Sequence, residues 1–131
     1  MTLVDTSVWI DFLRGTATPA AAFVREHLGG DLATTEPVLT ELLAGARPGP
    51  QADRIEGLLL SQRWHRVEPT LDYRGAVDVY RAARAAGRQP RGLTECLIAA
   101  VALRAGAQVA SRDVDFVRIA GATGLTVLDL R

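Results

Sequence analysis

Strand-like segments alternate with helical segments along the whole chain, and no two strand-like segments are joined by a tight turn. Short strands are predicted at residues 2–5, 31–35, 64–67, 108–111 and 126–128. Antiparallel strands can be joined by a short hairpin, whereas parallel strands need a long crossover connection, usually a helix. The alternation therefore predicts an α/β fold in which helices cover both faces of a mostly parallel sheet.

The helical segments are recognised by their apolar spacing and by the residues at their ends. The apolar residues of 36–46 form one stripe at the helical period. The Thr6-Ser7 pair is predicted to cap the first helix, and Thr18 to cap a second helix that has Pro19 in its first turn. Further helices are predicted at 52–62, at 71–86 after a Thr70 cap, and at 114–122. Another amphipathic helix, closed by Gly106, is predicted from the apolar residues at 97, 98, 101, 102 and 105.

Composition places the chain among ordinary folded proteins. Its 131 residues suit a single domain, 1–131, and 48% of them are hydrophobic. No apolar run is long enough to span a bilayer and the first residues do not resemble a signal peptide, so a cytoplasmic protein is expected. Cys96 is the single cysteine, so neither an internal disulfide nor a cysteine-rich zinc site is expected.

The charged residues balance, and every basic one is arginine. Fifteen acidic and fifteen basic residues give a net charge of zero, which argues against a surface that coats nucleic acid nonspecifically. A local basic rim around an acidic centre is still compatible with this balance. The candidate contacts to RNA phosphates are Arg84, Arg88, Arg91 and Arg112. The alternative is a solvated edge whose arginine stems cover apolar surface.

Two carboxylates are predicted at the ends of strands, where ligands bind in open α/β sheets. Asp5 ends the first strand, and Asp113 follows the strand that ends near Ser111. Each could simply cap a helix, but two carboxylates at neighbouring strand ends repel each other unless a cation lies between them. Glu41 and Glu95 flank the apolar stripes of their helices, where they face either a groove between layers or water.

If these acids converge, their chemistry is restricted. Oxygen ligands without histidine or cysteine suit Mg²⁺ or Mn²⁺ rather than zinc. Such ions activate water and stabilise charge on a phosphodiester. The pattern therefore indicates phosphoryl transfer or phosphodiester hydrolysis.

Four segments together resemble the signature segments of the PIN-domain ribonucleases, and most closely the VapC toxins of bacterial type II toxin–antitoxin systems. These segments are 4–10 (VDTSVWI), 40–45 (TELLAG), 95–100 (ECLIAA) and 111–116 (SRDVDF). They occur in the order typical of the family, and the resemblance covers essentially the whole chain. It implies a parallel sheet sandwiched between helices and an acidic pocket that binds one or two Mg²⁺ or Mn²⁺ ions.

The resemblance also implies roles for particular residues. The acids that it assigns to catalysis and to metal binding are Asp5, Glu41, Glu95 and Asp113. Asp115 is expected to assist them, Ser7 to hold the Asp5 carboxylate, and Ser111 to lie beside the same pocket. The expected reaction is endonucleolytic hydrolysis of RNA by a metal-activated water, which leaves 5′-phosphate and 3′-hydroxyl ends.

The partners that the resemblance implies are RNA, a second copy of the chain and a cognate VapB antitoxin. The antitoxin tail is expected to lie across the active-site groove and to hold the toxin inactive. The complex is expected to bind operator DNA through VapB. Transfer RNA or an exposed ribosomal RNA loop is the expected substrate, and no membrane partner is expected.

One residue departs from the family pattern, because Glu95 stands where PIN domains normally have aspartate. The longer side chain is compatible with a natural variant of ordinary activity, with a weakened enzyme, or with an introduced substitution. The alternative function is a PIN-like module that no longer cleaves and acts through RNA or antitoxin binding. A phosphatase of the haloacid dehalogenase type is disfavoured, because it needs an acid two residues after Asp5, where Ser7 stands.

Overall fold

The computed structural model describes all residues, 1–131, and contains seven helices around a five-stranded sheet. The strands are β1 (Thr2–Val4), β2 (Leu32–Thr34), β3 (Arg63–Trp64), β4 (Gln108–Ser111) and β5 (Val127–Asp129). The helices are α1 (Thr6–Arg14), α2 (Pro19–His27), α3 (Glu36–Ala44), α4 (Pro50–Leu60), α5 (Leu71–Ala85), α6 (Leu93–Ala105) and α7 (Val114–Ala122). None of these helices is long and apolar enough to cross a membrane.

All neighbouring strands are parallel, in the order β3-β2-β1-β4-β5, which confirms the predicted α/β class. The chain builds outward from β1 to β3 on one side and then crosses to β4 on the other. Val4 pairs with Ala110, so β1 and β4 end side by side at the point where the strand order reverses. Crevices at such switch points are where open α/β sheets bind their ligands.

Helix α6 lies in the centre of the molecule. Its sequence predicts an amphipathic helix, but the structure buries residues on more than one of its faces. Its residues Cys96 and Ile98 to Ala102 are buried, because the helix packs against α3, α5, α7 and strand β4. Burial raises the pKa of the Cys96 thiol to about 11, so this cysteine is an unreactive core residue. A helix enclosed in this way holds the residues of its first turn, including Glu95, in a fixed position.

Most predicted elements form, but the starts of three helices differ in their caps or their first residue. Helix α1 is capped by the Asp5 side chain rather than by Thr6 or Ser7. Thr70 has φ +64° and makes no capping hydrogen bond with its side chain. Helix α4 begins at Pro50, two residues earlier than predicted, because proline fits the first helical turn.

Strand β3 is shorter than the predicted segment 64–67. The N–H of Val67 donates to the Glu36 carboxylate at 2.9 Å instead of to a neighbouring strand. Pairing with β2 ends at Trp64, because β2 itself ends at Thr34 and the chain enters α3 at Glu36.

Candidate active site

Asp5 is the centre of a hydrogen-bond network at the ends of β1 and β4. It is 5% exposed, and its Oδ2 accepts hydrogen bonds from the Ser7 hydroxyl at 2.8 Å and the Ser111 hydroxyl at 2.9 Å. The Ser7 backbone N–H points to the same oxygen at 3.4 Å. Both serine hydroxyls bond Oδ2, so Oδ1 accepts no side-chain hydrogen bond and is available as a ligand atom.

Burial raises the pKa of Asp5, and the hydrogen bonds from Ser7 and Ser111 offset part of this effect. The ionised carboxylate is therefore held in an unfavourable environment that a nearby cation would relieve. A charged group buried without an ion-pair partner in this way is typical of a functional site.

Ser111 connects the two strand ends. Its hydroxyl donates to Asp5 and accepts the backbone N–H of Asp113 at 2.8 Å. Ser7 makes a second connection, because its hydroxyl accepts the backbone N–H of Arg112 at 2.9 Å. The two serines thus fix the distance between the acids that follow β1 and β4.

Glu95, Asp113 and Asp115 form a compact acidic cluster. One carboxylate oxygen from each lies within 4.8 Å of the others. Glu95 projects from the first turn of α6, and Asp113 caps α7 by accepting the Asp115 N–H at 2.9 Å. Burial raises the pKa of Glu95, and the negative charges of Asp113, Glu41 and Asp115 raise it further. These like charges also favour a bound cation.

Glu41 is exposed on α3 and is joined to the start of α1. Its Oε1 accepts a hydrogen bond from the Thr6 hydroxyl at 2.8 Å, and Thr6 directly follows Asp5. Sequence reasoning missed Thr6 as a positioning residue. Its place immediately after the first acid is a signal, but the partner on α3 becomes visible only in the folded chain.

Two arginines neutralise part of the cluster. Arg91 donates from Nη2 to Asp113 Oδ1 at 2.8 Å and from Nε to Asp115 Oδ2 at 3.2 Å. Arg118 Nη1 lies 3.4 Å from Asp115 Oδ1. Arg118 was not among the predicted site residues, although its spacing of three from Asp115 on one helix is a recognisable ion-pair signal.

The other predicted RNA contacts lie in different environments. Arg112 pairs with the buried Asp11 at 2.6 Å, and Asp11 is a third residue that sequence reasoning missed. The Arg88 guanidinium lies against α7, where a Cβ at Gly121 would be 2.8 Å from its Nη1. Arg84 is exposed and makes no ion pair.

The donor set suits a hard divalent cation. Free carboxylate oxygens remain on Asp5, Glu41, Glu95 and Asp113, while Asp115 is engaged with arginines on both sides. The Cys96 sulfur lies 3.7 Å from the Gly92 carbonyl and is buried in the core. Oxygen donors without nitrogen or sulfur favour Mg²⁺ or Mn²⁺ over zinc.

The chain is similar to known proteins over nearly its whole length. The PIN domain family matches residues 2–122. Ribonuclease VapC11 of Mycobacterium tuberculosis and a VapC ribonuclease of Mycobacterium bovis are each 39% identical to this chain, and each comparison covers 100% of both proteins.

Solved structures share the fold. The DNA-bound VapBC complex from Salmonella typhimurium superposes with a TM-score of 0.75 at 18% identity, covering 99% of this chain and 98% of the other. VapC20 of Mycobacterium tuberculosis, described as a toxin that cleaves the sarcin–ricin loop, gives a TM-score of 0.66 at 21% identity, covering 96% and 99%. The chain belongs to the PIN-domain family and, within it, to the VapC ribonucleases of toxin–antitoxin systems.

Proposed function

We propose that this protein is the toxin of a VapBC pair and cleaves RNA in a reaction that depends on Mg²⁺ or Mn²⁺. The observation that carries the proposal is that the Ser111 hydroxyl bonds both the Asp5 carboxylate and the backbone N–H of Asp113, whose own carboxylate clusters with those of Glu95 and Asp115. The acidic cluster is thereby tied to the strand end that carries Asp5, at the switch point of the sheet. Full-length similarity to VapC ribonucleases supports RNA as the substrate.

The roles of the residues follow from their positions. Asp5, Glu95 and Asp113 would hold the ion, and Glu41 would complete or orient its shell from α3. When bound, Mg²⁺ or Mn²⁺ lowers the pKa of a water molecule and offsets negative charge at the phosphate. Ser7 and Ser111 keep the Asp5 carboxylate in one orientation, and Thr6 does the same for Glu41.

Removal of divalent metal tests the proposal directly. In excess EDTA, RNA cleavage should be lost, and added Mn²⁺ or Mg²⁺ should restore it, because the carboxylates alone cannot neutralise the phosphate. Cleavage is followed by mapping 5′-phosphate ends in total RNA after incubation with the purified toxin. Cuts that persist in EDTA would show that the acidic pocket does not act through a metal.

Shortening Glu95 tests whether the longer acid is competent. Its carboxylate already lies within the cluster, so Glu95→Asp withdraws the oxygen by about one methylene, and we expect RNA cleavage to fall about tenfold or more. Initial rates and growth arrest after induction measure the effect, and Glu56→Asp on exposed α4 is the matched control. A gain in activity would instead favour the alternative, a module weakened by Glu95.

The proposed partners are an RNA substrate, a VapB antitoxin and a second copy of the toxin. A cavity of about 220 Å³, lined by both apolar and polar residues, lies between α1, α3 and α4. Its lining includes the apolar residues Ile10, Leu13, Leu42 and Ile55 and the acid Glu41. An apolar antitoxin segment in this cavity would end beside the acidic pocket.

A transfer RNA or an exposed ribosomal RNA loop is the proposed target, in line with the description of VapC20.

A further inference from the structure

We propose that Arg91 is the counter-ion of the acidic pocket. Its guanidinium pairs with Asp113 while RNA is absent and moves to an RNA phosphate when the substrate binds. This inference rests on the proposed function, since it takes a divalent ion and RNA as the ligands of the pocket. It assigns Asp115 a separate task, namely to position Arg91.

Asp115 is the anchor of Arg91. Its side chain is 1% exposed, and its Oδ2 accepts both the backbone N–H and the Nε–H of Arg91 at 3.2 Å. Its Oδ1 faces Arg118. With both oxygens occupied by arginine donors, Asp115 is better suited to holding the loop before α6 than to binding a metal ion. The backbone contact does not depend on the Arg91 side chain, so the loop stays in place when the guanidinium moves.

The other end of the guanidinium competes with the metal. Arg91 Nη2 lies 2.8 Å from Asp113 Oδ1, and the same oxygen accepts the N–H of Asp115. A divalent ion held by Asp113 and Glu95 would lie close to this positive charge and share its partner. Two cations at this distance repel each other, so the bound metal and the Arg91–Asp113 contact weaken each other.

Arg91 is also accessible to substrate. Its side chain is 71% exposed, although its anchor Asp115 is buried. Guanidinium groups bind phosphate through two parallel N–H donors, and exposed ion pairs are weak enough to exchange partners. A phosphate that reaches the pocket therefore gives Arg91 a second anionic partner, and the Asp113 carboxylate is then free to bind the metal.

Two binding measurements separate this role from simple attraction of RNA. We expect Arg91→Ala to bind Mn²⁺ about three- to tenfold more tightly than the wild type in the absence of RNA, because a competing cation is removed. In EDTA, where cleavage is off, the same variant should bind RNA about three- to tenfold more weakly. Arg84→Ala is the matched control, since Arg84 is exposed without an ion pair. It should weaken RNA binding but leave the Mn²⁺ affinity within about twofold.

Further variants make the result decisive. Arg91→Lys keeps the charge and should leave the Mn²⁺ affinity close to that of the wild type, whereas Arg91→Gln should raise it as alanine does. If the neutral variants bind Mn²⁺ as the wild type does, or more weakly, Arg91 only fastens the loop and the inference is wrong. A wild-type protein that binds no Mn²⁺ at all would instead overturn the proposed function, and this inference with it.

Discussion

Replacing Asp5 by asparagine is expected to reduce RNA cleavage at least about a hundredfold and to raise the melting temperature in metal-free buffer by a few degrees. The carboxylate is almost fully buried, and burial raises its pKa. Asparagine keeps its shape, and its oxygen can still accept hydrogen bonds from Ser7 and Ser111. The substitution removes the charge that binds metal while preserving the packing. Initial rates with Mn²⁺ and thermal melts in EDTA measure the two effects.

The sign of the stability change follows from the pKa of Asp5. A carboxyl whose pKa is higher in the folded chain than in the unfolded chain, where it is about 3.9, binds its proton more tightly when folded. The free energy of unfolding therefore falls as the pH rises between these two values. At pH 7 the charged Asp5 destabilises the fold, and the neutral amide removes this cost. The advantage of Asp5→Asn should disappear below about pH 4.

Metal should reverse the comparison. Mn²⁺ that binds only the folded protein stabilises the wild type by mass action, and the variant gains less because it has lost a ligand. Asp78→Asn, an exposed change on α5, is the control and should alter neither the melting temperature nor its response to Mn²⁺. Wild-type cleavage by Asp5→Asn, or a lower melting temperature in EDTA, would contradict the assignment of Asp5.

Asp5 and Asp113 could be located from the sequence because their positions depend on strand ends. A parallel sheet brings the carboxyl ends of its strands to one edge, so acids that follow two neighbouring strands must lie close together. The sequence left open whether each acid caps a helix or forms a site. The structure shows that each caps its helix and that the two caps are joined through Ser111, so capping a helix does not exclude a role in the proposed site.

The side-chain partners could not be predicted in the same way. Thr6 and Glu41 are 35 residues apart, and Arg91 and Asp113 are 22 apart, so each contact depends on how α3, α6 and α7 pack. No local spacing carries that information. The boundary of β3 was missed for the same reason, because it depends on where β2, its neighbour in the sheet, ends.

A second large effect is expected far from the pocket, at the ion pair between Asp72 of α5 and Arg104 of α6. Asp72 is 2% exposed and receives two hydrogen bonds of 2.9 Å from the Arg104 guanidinium. Burial alone would raise the pKa of Asp72, but the hydrogen bonds from Arg104 and from the Glu68 N–H lower it below its usual value. Asp5 and Asp72 are thus both buried acids, and the arginine partner decides the direction of the pKa shift.

Arg104→Met is expected to lower the free energy of unfolding at pH 7 by about 2 kcal/mol, which corresponds to about 5–10 °C in melting temperature. Leaving the buried Asp72 carboxylate without its arginine costs less here than in a dry interior, because Arg104 is 35% exposed and water can reach the site. Methionine retains the apolar stem, so the loss reports on the ion pair together with the hydrogen bond from Arg104 Nη2 to the Arg66 carbonyl at 2.8 Å. Thermal and urea unfolding of the metal-free protein measure it.

The pH dependence and a double substitution identify the cause. The stabilisation from Asp72 is present above its unfolded pKa of about 3.9 and is lost as the pH falls through the lower folded value, so the difference between wild type and Arg104→Met should shrink in acid. Adding Asp72→Leu should recover part of the loss, because the stranded charge is then absent. Arg81→Met, on the exposed side of α5 without an ion pair, should stay within about 0.5 kcal/mol of the wild type. If Arg104→Met melts like this control, the pair contributes nothing to stability, and the contrast drawn between Asp5 and Asp72 is wrong.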